Sequence, residues 1–261
     1  MLAMVVADIT NPVYFGLIRG AERTAMHAGY TLLLAETQES EVVERAVLER
    51  IRPSVDGVIL TSSRMSDAGI RTVAKTAPLV VLNRLVDQVP SVASDNVRAV
   101  KRAVEHLAAA GHRRVGYALP DDPRLSVFAT PRLNGVRAAC QRLGLAPPRD
   151  QQVPLDPRGA AAAVAGFLSV DDPVTAICAY NDEVALAVLA GLRAHGLTAP
   201  TDVAVIGVDN IPAAVLATPP LTTIDFHPAA IGRHLAAIVL GETAIAPDAL
   251  PSPAVVVRES G

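Results

Sequence analysis

The sequence predicts an α/β protein built as two lobes, each a mostly parallel sheet under helices. Short, continuously apolar runs alternate with Ala-rich helical stretches along the whole chain. Continuous rather than alternating apolarity is what strands show when helices bury both of their faces. Repeated strand–helix–strand units imply parallel sheets with right-handed crossovers. About ten such strands are too many for one simple doubly wound sheet, which is why two lobes are expected.

The first strand is residues 2–7. Asn11 and Pro12 then supply a cap and a proline at the first helical position. That helix runs to about Ala28, and Gly29 stops it. Strand 31–35, helix 41–52, strand 57–60, helix 67–75 and strand 79–82 follow. A short strand leads into Ser94, Asp95 and Asn96, where the same rhythm restarts. Helix 97–110 stops at Gly111, then come strand 115–119 and helix 132–143, which stops at Gly144. Strand 153–155, helix 159–168, strand 176–179, helix 182–195 and strand 203–208 continue the pattern. Strand 222–226, helix 229–240 and strand 254–257 complete it. The border between lobes is placed at 94–96, and the Pro-rich stretch 246–253 is read as another crossing.

Hydrophobic residues make up 51% of the 261 and aromatics only 3%, with no Trp, so the core must be Ala, Val, Leu and Ile. The net charge of -3 lacks the basic balance of a free-standing nucleic-acid binder. Cys140 and Cys178 have no CxxC spacing, which argues against a disulfide framework or a Cys-based zinc site and fits a reducing cytoplasm. No signal-peptide pattern opens the chain, and no apolar run reaches the ~20 residues that span a bilayer.

Ligands of open parallel α/β sheets bind beyond the carboxyl ends of the strands. Polar and aromatic residues gather there. The first strand is followed by Asp8, Asn11, Tyr14 and Phe15, and the 79–82 strand by Asn83 and Arg84. Asp95 and Asn96, then Tyr180, Asn181 and Asp182, then Asp209 and Asn210, then Asp225 and Phe226 close four more. Many of these Asp and Asn residues also suit helix N-caps, Asp182 and Asn96 above all. An arginine at a strand end is harder to explain by capping, which singles out Arg84. Of the four Phe, Phe15 and Phe226 lie at strand ends and Phe128 in the loop before helix 132–143, whereas Phe167 reads as core. Aromatics in a cleft suit a ligand with an apolar face, and Asp, Asn and Arg would satisfy its hydroxyls or carbonyls. The alternative is that these rings plug the sheet ends.

Catalytic signals are poor. GxSxG, HExxH, the P-loop and GxGxxG are absent. The six His form no i,i+4 pair, and His106, His112 and His195 fall near helix C-termini, where the dipole favours them. No cofactor or metal is implied.

Ten segments, in order, carry a resemblance: DITNPVYF at 8–15, GY at 29–30, VDGVI at 55–59, LNR at 82–84 and SDN at 94–96. HL at 106–107 with GHRR at 111–114, RLNG at 132–135, ND at 181–182, PTDVAVIGVD at 200–209 and PLTTI at 220–224 complete it. With them the chain resembles the effector-binding domain of the LacI/GalR family over essentially its whole length. The resemblance implies two Rossmann-like lobes in a clamshell like the type I periplasmic binding proteins. The N-terminal lobe would take residues 1–95 plus 227–250, and the C-terminal lobe 96–226 plus 251–261. It implies ligand contacts from Asp8, Asn11, Tyr14, Phe15, Arg84, Asp95, Phe128, Arg132, Asn181, Asp209 and Phe226. Arg132, taken to open its helix, would grip a pair of ligand oxygens, and Asp209 would accept from ligand donors.

There are departures from the family pattern. Val208 stands where the family often has Phe, and Phe226 where many sugar-responsive members carry Gln. The second change trades a hydrogen-bonding group for a stacking face, which keeps nucleosides and purines open beside sugars. No helix-turn-helix head precedes the first strand, so a truncated chain or a headless relative is expected, unable by itself to bind operator DNA. The expected protein is thus a cytoplasmic, homodimeric sensor core. It would bind a small effector and pass lobe closure to DNA-binding heads as a population shift. The competing readings are a transporter's periplasmic receptor and an enzyme using Asp8, Asp95 or Asp209 in acid–base work.

Overall fold

The computed structural model describes residues 1–169, 171–242 and 250–261. The chain divides into two compact units: unit 1 is Met1–Ser94 with His227–Pro251, and unit 2 is Asp95–Phe226 with Ser252–Gly261. Of the stretch 246–253 read as a crossing, residues 246–249 lie outside the described residues.

Unit 1 carries strands β1 (Leu2–Val6), β2 (Leu32–Glu36), β3 (Gly57–Thr61), β4 (Leu79–Leu82) and β5 (Ser91–Val92). They form one parallel sheet in the order β2-β1-β3-β4-β5. Every residue of β1, β3 and β4 is buried, which explains their continuous apolarity. Helices α1 (Val13–His27), α2 (Glu41–Ile51) and α3 (Asp67–Ala74) connect the strands. The Ser40 and Ser66 hydroxyls cap α2 and α3 by accepting from Val43 and Gly69 N–H. Helix α9 (Pro228–Val239) returns to this unit and lies directly on α1. The two backbones approach so closely that a Cβ on Gly20 would sit 2.1 Å from the Ala229 carbonyl oxygen, and one on Gly232 2.0 Å from that of Leu17.

Unit 2 carries β6 (Val115–Pro120), β7 (Arg149–Val153), β8 (Ala176–Ala179), β9 (Ala204–Val208), β10 (Thr222–Asp225) and β11 (Ala254–Val256). Their order is β11-β10-β9-β8-β6-β7, with only β11 antiparallel. Helices α4 (Asn96–Ala109), α5 (Ser126–Arg142), α6 (Pro157–Leu168), α7 (Asp182–Ala194) and the short α8 (Pro212–Leu216) pack around it. The chain end is built into this sheet. Ser260, fully buried, accepts from Thr222 N–H and donates to the Val205 carbonyl.

Three expectations are corrected here. The strand expected at 153–155 is Arg149–Val153: it is an edge strand of polar residues, RDQQV, so an apolar-run search passes over it. Helix α5 starts six residues before Arg132 and runs through Pro131, which forgoes one ladder bond. Phe128 is therefore helical rather than in a loop, and Arg132 does not open its helix. The caps are shifted by one residue: Asp95 and Asn181, rather than Asn96 and Asp182, accept the first-turn N–H groups of α4 and α7.

Candidate functional site

In unit 2, Arg132 leaves the middle of α5 and is buried, only 8% exposed. Its Nε and Nη2 donate to Asn96 Oδ1 at 3.1 and 2.6 Å, and its Nη1 donates to the Tyr180 carbonyl at 2.6 Å. The guanidinium carbon stands 4.5 Å from the centroid of the Tyr180 ring, a cation–π contact. Asp95, not Asn96, caps α4, and the Asn96 side-chain oxygen accepts from Arg132 instead. These three bonds engage three of the five guanidinium N–H groups, so two donors remain.

Asp209 follows β9 with a backbone φ of 113°, a conformation unusual for a side chain larger than Gly. Its side chain is buried, and no described residue donates a hydrogen bond to the carboxyl group. Burial pushes that carboxyl up to about 8, against the pull of the Arg132 guanidinium, and the nearby Asp182 and Glu183 carboxylates add to the rise. Burial likewise opposes charge on Arg132, but Tyr180 and Asp209 outweigh it and hold the guanidinium above its ordinary value. Asp182, fully buried behind this loop, is pushed by burial up to about 7 while hydrogen bonds from Thr223 and Ile211 restrain it.

Phe226 directly follows β10 and is buried. Phe128 is half-buried, one helical turn before Arg132 on the same face of α5. Asn181 is buried and committed to capping α7, and the exposed Asp95 to capping α4. Unit 2 thus brings Arg132, Asn96 and Tyr180 into one cluster, with Asp209 in Coulombic reach.

Unit 1 arranges its residues differently. Asp8 accepts from the backbone and hydroxyl of Thr10, and Asn11 accepts from Val13 N–H at the start of α1. Tyr14 is buried with its hydroxyl 3.4 Å from Ser62 Oγ, whereas Phe15 is 47% exposed. Arg84 is paired with Asp67 at 2.6 Å and donates to the Met65 carbonyl, so local structure engages it. The sequence reading passed over a nearly buried ion pair, Arg64 with Glu39, and the buried Glu44 that accepts from Arg64 N–H. Ser62 and Ser63 are also buried at the end of β3. A single Ser or Glu in a polar loop carries no periodicity that would reveal it. Tyr180 did carry a signal, its place directly after an apolar strand.

Residues 104–261 match the periplasmic binding protein-like domain family. The chain superposes on a LacI transcriptional regulator from a Rhodococcus species with a TM-score of 0.82 and 26% identity, covering 100% of this chain and 98% of that one. It is 31% identical over 248 residues to the HTH-type transcriptional repressor CytR of Escherichia coli (strain K12), which spans 92% of this chain and 72% of that protein. The chain belongs to the LacI/GalR family of transcription regulators. It covers the effector-binding region of the LacI/GalR fold, not a transporter's receptor. A transcriptional regulator CelR–cellobiose complex also superposes, with a TM-score of 0.78 and 27% identity over 100% of this chain and 84% of that one. Among the described residues no helix is long and apolar enough to cross a membrane, and no cluster of His, Cys, Asp and Glu could hold a metal ion.

Proposed function

We propose that this sensor core binds a polyhydroxylated ring, a sugar or the ribose of a nucleoside, and that Arg132 and Asp209 are its principal anchors. The observation that carries the reading is the pairing of two uncommitted guanidinium donors with a buried carboxyl that receives no hydrogen bond. Adjacent hydroxyls each donate and accept, so they satisfy such a pair at once. The CelR relative was solved with cellobiose, which favours the sugar half of this class. Phe226 and Phe128 are assigned the apolar ring face, and Asn181 and Asp95 supporting roles through their caps. Asp8, Asn11, Tyr14, Phe15 and Arg84 complete the proposed contact set.

The protein would act without catalysis, as a cytoplasmic homodimer, with operator DNA contacted through a separate N-terminal head. The effector would bias one conformation over another by its differential affinity for the two. A thermal-shift screen of disaccharides, pentoses and nucleosides tests this, because a ligand at a hundred times its dissociation constant stabilises the native state by about 2.7 kcal/mol. Arg132→Ala and Asp209→Asn should each weaken calorimetric affinity for the best hit by about 2–3 kcal/mol, roughly a hundred-fold. Unchanged affinity in a folded Asp209→Asn protein would remove the pair from the site.

A further inference from the structure

We infer that Asp182 is a positioning residue, a single buried carboxyl that ties together the ends of β8, β9 and β10 and so sets how Asp209 is presented. It rests on the proposed function only in taking Asp209 as an effector anchor. Asp182 lies at the first position of α7, directly after Asn181 at the end of β8. Its Oδ2 accepts from the Ile211 N–H at 2.8 Å, beyond the end of β9, and its Oδ1 accepts from the Thr223 hydroxyl on β10. Thr223 Oγ1 in turn accepts from the Asn210 N–H at 3.3 Å. The two residues that follow Asp209 are therefore both held by the same carboxyl–hydroxyl pair.

The surroundings are shaped for this carboxyl. A Cβ on Gly207 would stand 2.2 Å from Asp182 Oδ1, so a residue with a side chain at that point of β9 would expel it. Helix α7 already has its cap in Asn181, so capping does not explain a fully buried carboxyl at the next position. Asp209 and Asn210 both have positive φ, and the 113° of Asp209 is one that non-glycine residues rarely adopt. A second path braces the same turn: Asn210 donates to Asp225 and accepts from Arg258, whose other nitrogen donates to the Leu221 carbonyl. Three neighbouring strand ends, one carrying the capping Asn181 and two the proposed effector contacts Asp209 and Phe226, are thus joined through groups that need not touch an effector.

The test needs no effector. Asp182→Asn keeps the side-chain volume and removes the charge, and Thr223→Val removes only the bridging hydroxyl, so it serves if the first variant folds poorly. Backbone amide exchange by NMR should quicken by roughly ten-fold or more at Asn210 and Ile211 in both variants, while Val205 and Ile206 within β9 keep their protection. The carboxyl 13C titration of Asp209 in Asp182→Asn should move to lower pH, because the neighbouring carboxylate that disfavours its ionisation is gone. Parent-like exchange at 210 and 211, uniform acceleration across unit 2, or an unmoved Asp209 titration would each overturn the assignment. Failure of the effector reading itself shows separately, as affinity left unchanged by Asp209→Asn.

Discussion

Replacing Asp209 by Asn should flatten the dependence of stability on pH. In the folded protein burial raises the carboxyl from 3.8 to about 8. The folded state therefore holds a proton that the unfolded chain releases near pH 4, and native stability declines as pH rises between those two values. Below pH 4 both states are protonated and the contribution is fully present. Above pH 8 it is gone. A shift of about four units at 1.36 kcal/mol each sets an upper bound of ~5 kcal/mol. Asp182 titrates in concert with it, and the fixed positive charge of Arg132 favours its ionised form, so about 2–3 kcal/mol is assigned to Asp209 itself. Urea unfolding at intervals from pH 5 to 9 measures the effect. The parent should lose that much more stability over the interval than Asp209→Asn, which should overtake it at the alkaline end. Parallel curves for the two proteins would refute the reasoning and place the Asp209 carboxyl in water.

Two further outcomes are expected. Gly20→Ala should cost about 3 kcal/mol in urea unfolding, because its methyl meets a main-chain carbonyl on α9 rather than a side chain that can turn away; a variant within 0.5 kcal/mol of the parent, the usual scatter for a surface change, would show that the helices can part. Neither thiol should react with Ellman's reagent at pH 8 in the native protein, since burial raises both and pushes Cys178 up to about 12. Rapid labelling before unfolding would contradict their burial.

Much of the architecture could be read from residue order alone because both sheets rest on one strong signal, runs such as LAMVV and AVIGV buried on both faces. The signal fails where burial is one-sided, and β7 is the example. Adjacent Asx residues posed a different problem. In Asp95–Asn96 and Asn181–Asp182 either member has the chemistry of a cap, and only the backbone decides which one turns inward. That choice releases Asn96 to hold Arg132 and Asp182 to reach across three strands. Helix α5 begins six residues earlier than expected because a 3-10 turn at Pro123–Leu125, braced by Asp122, leads directly into it, and Pro131 is accommodated inside. Arg84 stood out as an arginine at a strand end, and its partner Asp67 is seventeen residues away at the start of α3, beyond any local pattern.

The return of α9 to unit 1 has a consequence for the order in which the molecule is assembled. The N-terminal ninety-four residues supply every strand of their sheet, yet the helix that seats against α1, β3 and β4 emerges from the ribosome only after residue 227. Until then the groove along Gly16 and Gly20 has nothing to hold. Synthesis would therefore complete most of the later unit while the earlier one still waits for its last helix, so the half that starts first finishes late.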